Sequence, residues 1–349
     1  MACLNALGAD ITKSSQGYLV NPIRNVPEKA SLPCRDSGST LRFLLPVAGA
    51  LGVDTTFLLE GRLPSRPLSP LWEEMERMGC RLSRPTDNTI RCQGKLKPGT
   101  YRLDGGVSSQ FITGLLFALS AIPGKSNIDL LGTVESKPYL RMTLEALKTF
   151  GLEIQDMEIP KEKHLRSPGK LTVEGDWSNG AFFLAANVLG NQIETLGLDP
   201  GSAQGDRAIL NLLLDLLDRP SISVADIPDL TPILSIVAAC KNGAVFRDIR
   251  RLRMKESDRV ESIIGMITAL GGKAQADENT LTVYGTGLSG GTVDACNDHR
   301  IAMAAMPATT IALPWQQPLL PRPPKTKLSF WALTVYKSPT RNFSVNTKP

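Results

Sequence analysis

Lys255-Glu256-Ser257-Asp258-Arg259 is followed by Val260, Ile263, Ile264, Ile267 and Leu270, and then by Gly271-Gly272. The apolar residues recur at helical spacing, so the stretch predicts a helix that ends where glycine accepts a left-handed backbone. Lys255 and Arg259 are expected one turn apart at its start. Free backbone N–H groups and the helix dipole favour an anion there. Taken alone, the stretch reads as a solvated helix tip with internal ion pairs. The rest of the chain changes that reading.

The end of this helix recurs along the chain. Leu4 to Gly8 leads into Ala9-Asp10-Ile11, Met75 to Gly79 into Cys80-Arg81-Leu82, and Leu147 to Gly151 into Leu152-Glu153-Ile154. A degenerate copy, Leu213 to Pro220, fills the gap before Ile267 to Gly271. Successive copies lie 71, 72, 67 and 53 residues apart. A period near 70 is too long for a solenoid repeat and suggests a duplicated α+β subdomain with several strands per helix pair. The first copy is already at its closing helix at residue 4, so the sequence opens inside a unit.

Length and composition bound the rest. A chain of 349 residues with 42% hydrophobic content and 30 glycines is long enough for two domains and a large core. No run of 18 apolar residues is present, so no membrane span is expected, and Met1-Ala2-Cys3-Leu4 does not open a signal peptide. Six separated cysteines and only two histidines, His164 and His299, argue against a structural zinc site; reduced cytoplasmic thiols are the default. The formal charge of +5 is uneven: Pro307 to Pro349 carries six basic and no acidic residues, with 8 of the 25 prolines. Without that tail the chain holds 33 basic against 34 acidic residues, which does not indicate a nucleic-acid-binding body. The tail reads as disordered or foreign to the fold.

Several helix starts share one design. Ser108-Ser109-Gln110 precedes Phe111, Ile112, Leu115 and Leu119, and Ser136-Lys137-Pro138-Tyr139 places proline near a first helical position. Ser65-Arg66-Pro67 is expected to open the helix that ends at Gly79. Asp36 to Arg42, through Gly38, leads into Phe43-Leu44-Leu45, and Asn297-Asp298-His299-Arg300 leads into Ile301 and Met303. Each singly reads as capping. If they converge, Arg66, Arg259 and Arg300 would bind two or more anionic groups of small molecules. Asp229 precedes the apolar run from Leu230 to Ala239, and Glu256 sits beside Lys255. Carboxylates among so many cations should stay ionised, which allows a base role; a helix-start acid is the plainer alternative for Asp229. Two motifs fail. Gly285 to Gly290 matches a dinucleotide fingerprint, but Thr292-Val293 reads as a strand where a helix is required. No Walker A sequence or Ser/His/Asp order is available; His299 reads as a positioning residue.

These motifs together resemble 5-enolpyruvylshikimate-3-phosphate synthases of the bacterial type. The matching stretches are Asp36 to Phe43, Leu63 to Leu68, Val107 to Phe111, Glu135 to Tyr139, Gly175 to Ser178, Pro228-Asp229, Lys255 to Arg259 and Asn297 to Met303. The resemblance implies an α/β (α+β) fold: a two-domain inside-out α/β barrel of repeated βαβαββ units, incomplete at the N-terminus. Residues 1–188 would form the shikimate-3-phosphate-side domain, 189–306 the second domain, and 307–349 the atypical tail. It implies transfer of the enolpyruvyl group of phosphoenolpyruvate to the 5-hydroxyl of shikimate 3-phosphate, with release of phosphate. The pathway is aromatic amino acid (chorismate) biosynthesis, in a cytoplasmic monomer with no metal and no organic cofactor. Ser108, Ser109, Gln110, Ser136, Tyr139, Asp229 and Lys255 would bind shikimate 3-phosphate. Gly38, Arg66, Gln110, Arg259 and Arg300 would bind phosphoenolpyruvate. Asp229 would accept the hydroxyl proton, and Glu256 would assist proton transfer.

The family's N-terminal Lys-Ser loop and nearby Arg have no counterpart in the sequence, and its C-terminal Lys-Ser-Tyr-Pro segment is echoed only by Tyr336-Lys337-Ser338-Pro339. Lost charge-assisted contacts of roughly 1.5–3 kcal/mol each and an uncovered sheet edge lead to an expectation of little or no turnover. A degenerate ligand-binding remnant is one alternative. UDP-N-acetylglucosamine 1-carboxyvinyltransferase is the other, although Leu59 to Pro64 lacks the cysteine that its pattern carries.

Overall fold

The computed structural model describes residues 1–15, 17–218, 220–308, 326–329 and 344–346. They divide into two compact units, Met1–Lys170 and Leu171–Pro349. The expected boundary at 188/189 lies too late, because Trp177, Ala181, Phe182 and Ala185 pack into the core of the second unit.

The first unit runs α1 (Ala2–Ala6), β1 (Asp10–Ser14), β2 (Gly17–Asn21), β3 (Lys29–Arg35), α2 (Gly38–Leu51), β4 (Asp54–Leu59), α3 (Leu71–Arg77), β5 (Cys80–Ser83) and β6 (Thr89–Gly94). It continues with β7 (Thr100–Asp104), α4 (Ser109–Ala121), β8 (Ser126–Leu131), α5 (Lys137–Thr149) and β9 (Glu158–Ile159). The second unit runs α6 (Trp177–Val188), β10 (Ile193–Leu196), α7 (Ile209–Asp215), β11 (Ser221–Ser223), α8 (Thr231–Cys240), β12 (Ala244–Arg247) and α9 (Arg259–Ala269). It continues with β13 (Lys273–Ala276), β14 (Thr280–Tyr284), β15 (Thr292–Asp294), α10 (His299–Ala308), β16 (Thr326–Ser329) and β17 (Ser344–Asn346).

The chain order β3-α2-β4-α3-β5-β6 is the expected βαβαββ unit. Its sheet has the order β3-β4-β6-β5, with β3 and β4 parallel and β5 and β6 antiparallel. The second unit repeats it: β11-α8-β12-α9-β13-β14 forms a sheet of order β11-β12-β14-β13 with the same parallel pair and antiparallel hairpin. A shorter copy, β7-α4-β8-α5-β9, has three strands.

The helices inside explain the inside-out arrangement. Residues Thr231 to Ala239 of α8 are buried without interruption, and α4 is apolar and buried on nearly every face. A helix apolar all round has no solvent side and must be surrounded. The strands alternate instead, as in the buried–exposed pattern of Cys80, Arg81, Leu82 and Ser83, so each sheet keeps one wet face. In the first unit α2 and α4 approach closely at Gly114, where an added Cβ would lie 2.2 Å from the Arg42 carbonyl oxygen.

The four glycines that close the recurring unit, Gly8, Gly79, Gly151 and Gly271, all have positive φ. One local expectation changes: Ser65-Arg66-Pro67 does not open α3, because Leu63–Ser65 is a 3-10 turn and the helix begins at Leu71. The residues that follow Gly151, Leu152-Glu153-Ile154, form no strand, and the next strand is β9. α10 contains Pro307. The fingerprint-like Gly285 to Gly290 does lead into a strand, β15, as its failure as a dinucleotide motif requires. Most of the tail, including Lys337, lies outside the described residues. Two stretches of it are strands, with β16 parallel to β10 and β17 antiparallel to β15. Among the described residues no helix is long and apolar enough to cross a membrane.

The packing at Gly114 gives a paired prediction. Gly114→Ala should destabilise the chain by about 1–3 kcal/mol, because backbone of α2 would have to yield. Gly265→Ala, on α9 where no atom lies within 4 Å of the added Cβ, should stabilise by about 0.5–1 kcal/mol. Urea denaturation midpoints check both.

Candidate active site

In the second unit the 255–259 stretch folds differently from a simple helix tip. Asp258 caps α9 by accepting from Val260 N at 3.2 Å and Glu261 N at 3.3 Å, so the helix begins at Arg259. Lys255 therefore lies ahead of the helix, at the end of the 3-10 turn Arg250–Met254. The Arg259 side chain is 1% exposed. The reading of a solvated tip is overturned, because each nitrogen of the guanidinium has its own carboxylate. Nε donates to Asp298 Oδ2 at 2.8 Å, Nη1 to Asp229 Oδ1 at 2.5 Å, and Nη2 to Glu256 Oε2 at 2.7 Å.

The elements that present these groups follow from the fold. β11 and β12 are parallel neighbours. The chain leaving β11 reaches Asp229 and then α8; the chain leaving β12 reaches Lys255, Glu256 and α9. Asp298 is fully buried at the start of α10, where its Oδ1 accepts from Arg300 N at 3.0 Å. Its Oδ2 also accepts from the Ser257 hydroxyl at 3.1 Å. Asp229 faces two further cations: Arg300 Nη2 at 3.1 Å from Oδ2, and Lys255 Nζ at 3.8 Å from Oδ1. Arg300 Nη1 donates to Ser178 Oγ at 2.5 Å.

Burial works to raise the Asp229 pKa, but Lys255, Arg300 and Arg259 outweigh it and hold the carboxyl well below the usual range. Burial likewise opposes ionisation of Asp298, and Arg259 overcomes it. Burial lowers the Lys255 pKa, against the pull of Asp229. The expected ionised state of Asp229 is what the surroundings favour. A carboxylate so stabilised is a weak base while its cations stay on it.

In the first unit Ser108 caps α4, its Oγ accepting from Gln110 N at 3.3 Å, and Ser109 is the buried first residue of the helix. Gly38 begins α2. An added Cβ there would lie 2.7 Å from both Arg42 Nη1 and Arg66 Nη1, so two guanidinium tips meet above this helix start. Arg42 Nη1 donates to Gln110 Oε1 at 2.9 Å, which brings Gly38, Arg66 and Gln110 into one cluster. Arg66 reaches it from the segment after the Leu63–Ser65 turn rather than from a helix start.

Ser136, at the residue before α5, has φ +58 and is buried, with no side-chain capping bond to the helix, and Tyr139 stands in the first turn. Glu135 N donates to Gly105 O at 3.2 Å between the loops before α4 and α5, and the Thr113 and Thr143 hydroxyls hydrogen-bond at 2.8 Å between the two helices. Sequence reading missed Arg42 and Asp298 as site residues. Both stood inside quoted motifs, Arg42 one turn beyond Gly38 and Asp298 two residues before Arg300. Only their burial marks them.

Arg259→Met would leave three carboxylates without their shared cation and should cost about 3–5 kcal/mol in urea denaturation. The pH dependence has a definite sign. Asp229 and Asp298 have lowered folded pKa values, so their stabilisation is complete above the unfolded carboxylate value of about 3.9 and is lost as pH falls below it. The wild type should lose stability more steeply than Arg259→Met between about pH 4 and pH 2, read by melting temperature.

The family model described as EPSP synthase (3-phosphoshikimate 1-carboxyvinyltransferase) matches residues 1–219 and 216–313. A 3-phosphoshikimate 1-carboxyvinyltransferase of Clostridium novyi is 36% identical over 302 residues, covering 79% of this chain and 69% of the relative. That of Clostridium kluyveri is 36% identical over 326 residues, 86% of this chain and 76% of the relative. Among solved structures, an EPSP synthase from Acinetobacter baumannii superposes with a TM-score of 0.66 at 19% identity, covering 88% of this chain and 79% of that one. The enolpyruvyl transferase NikO from Streptomyces tendae gives 0.59 at 15% identity, covering 89% and 78%. At such identities the two structures show the shared fold.

Proposed function

The chain belongs to the EPSP synthase family, and from that membership we propose how its own residues serve enolpyruvyl transfer from phosphoenolpyruvate to shikimate 3-phosphate. The family is an enolpyruvyl transferase of aromatic biosynthesis. The matched relatives carry that name, so the alternative of a UDP-N-acetylglucosamine enzyme is set aside.

In the first unit the proposed groups for shikimate 3-phosphate are Ser108, Ser109, Gln110, Ser136 and Tyr139, and those for phosphoenolpyruvate are Gly38, Arg66 and Gln110. In the second unit they are Asp229 and Lys255 for shikimate 3-phosphate, and Arg259 and Arg300 for phosphoenolpyruvate. The chemistry fits these types: guanidinium forks match carboxylate and phosphate, while helix starts offer backbone N–H groups.

The observation that carries the reading is Asp229, a single carboxylate facing Arg259, Arg300 and Lys255. A phosphoenolpyruvate anion competing for Arg259 and Arg300 would draw their charge away from Asp229. The pKa of Asp229 would then rise toward its ordinary value, making it a better base. In the addition step the 5-hydroxyl oxygen bonds to C2 of the enolpyruvate. Its proton passes to Asp229, and C3 gains a proton. Elimination breaks the C2–O bond to phosphate, and C3 loses a proton to restore the double bond. Glu256, 2.7 Å from Arg259 Nη2, would give C3 its proton as a carboxylic acid and take one back as a carboxylate in the elimination, while the proton held by Asp229 leaves with phosphate.

Release of phosphate from phosphoenolpyruvate and shikimate 3-phosphate tests the reading. The sequence leads to an expectation of low turnover, and Asp229→Asn should lower it by a further factor of about 10²–10⁴ while binding of both substrates persists in calorimetry. A wild-type chain that binds both substrates and releases no phosphate would support the ligand-binding remnant and sink the transfer reading.

A further inference from the structure

Asp206 belongs to none of the motifs above, yet it is 4% exposed beside the Arg300 arm. It lies in the 3-10 turn Gly205–Ala208. That turn is fastened to the start of α6: Gln204 Oε1 accepts from Trp177 N at 2.9 Å, Gln204 Nε2 donates to Gly175 O at 2.9 Å, and Ser202 Oγ donates to Glu174 Oε1 at 2.8 Å. The backbone around Asp206 is therefore held in place and its carboxyl is presented to Ser178.

Ser178 is a junction. Its hydroxyl donates to the Asp206 carboxylate, and its oxygen accepts from Arg300 Nη1. The other terminal nitrogen of Arg300 pairs with Asp229. Asp206, Ser178, Arg300 and Asp229 thus form one connected path. The charged groups facing Asp206 are Asp176 at the start of α6, Asp229 ahead of α8 and Arg300 at the start of α10. Arg207, its neighbour in the turn, donates instead to Pro200 O. Asp206 Oδ1 is buried with no hydrogen-bond partner among the described residues. A buried carboxylate with one unsatisfied oxygen and two acidic neighbours is costly when ionised. Burial first, and then Asp229, push its pKa up to about 7.

We propose that Asp206 is a positioning residue for anion recognition, which frees Arg300 for phosphoenolpyruvate when it is a neutral acid and holds Arg300 back through Ser178 when it is a carboxylate. The proposal rests on the reading of Arg300 as a phosphoenolpyruvate ligand. Ionised Asp206 adds one negative charge beside Asp229 and Asp176, which an incoming anion must overcome. Anion binding should therefore favour protonated Asp206 and be accompanied by proton uptake near pH 7.

Calorimetry of phosphoenolpyruvate, with shikimate 3-phosphate present, on the full chain at pH 6, 7 and 8 tests this. Asp206→Asn keeps an oxygen to accept from Ser178 and removes the charge. It should bind like the wild type at pH 6 and several-fold more tightly at pH 8, with less proton uptake. Titration of the ligand's own phosphate cancels in the comparison. Ser178→Ala keeps the charge and breaks the path through which the carboxylate holds Arg300, so it should reduce the difference in affinity between pH 6 and pH 8.

Melting temperature gives a second readout that needs no ligand. The folded pKa of Asp206 lies above the unfolded value of about 3.9, so folding takes up a proton between about pH 4 and pH 7 and the wild type loses stability as pH rises through that window. Asp206→Asn should gain relative to the wild type from pH 5 to pH 8. Equal affinity ratios at pH 6 and pH 8 overturn the coupling alone. No phosphoenolpyruvate binding by either protein, with the melting difference present, removes the Arg300 reading and the proposal with it. No melting difference overturns the ionisation of Asp206.

Discussion

The second unit depends on one buried guanidinium. Arg259 is taken out of water, which is tolerable only because Asp298, Asp229 and Glu256 each occupy one of its nitrogens. Those carboxylates come from the start of α10, the segment ahead of α8 and the segment ahead of α9. A planar fork with fixed directions therefore sets where three chain segments stand relative to one another. Lys255 and Arg300 then approach Asp229 from other sides, so two cations are oriented by the same carboxylate that orients Arg259.

This arrangement has a chemical cost and a chemical use. The cations that keep Asp229 ionised also make it a weak base. In the proposed reading an anion that competes for the arginines would change that balance, so substrate recognition and base strength would be linked through shared charge. Asp206 extends the linkage one step further from the reacting groups, through the Ser178 hydroxyl.

The fold supplies the geometry by repetition. In each βαβαββ unit two parallel strands stand side by side, and the chain leaves both in the same direction. The residues that follow the two strands are neighbours although they are far apart in sequence. Asp229 and Lys255 meet in this way after β11 and β12, and Gly38 and Arg66 after β3 and β4. Placing the apolar helices inside, with the sheets around them, brings the start of α2 against α4, where Arg42 reaches Gln110.

The period near 70 residues, the glycine that closes each unit and the helix starts at Ser108, Ser136 and Arg300 could be read from the sequence. They rest on local rules, namely apolar spacing, capping chemistry and the positive φ that glycine accepts. The sequence also carried enough ordered motifs to identify the family. It placed the break between units too late, because α6 has no local mark saying which core it joins; packing of Trp177 and Phe182 decides that. Taken alone, the 255–259 stretch read as a solvated tip, since a charged residue at a helix start is ordinarily exposed. Only tertiary structure, by bringing carboxylates from residues 229, 256 and 298 onto one guanidinium, makes burial of Arg259 affordable.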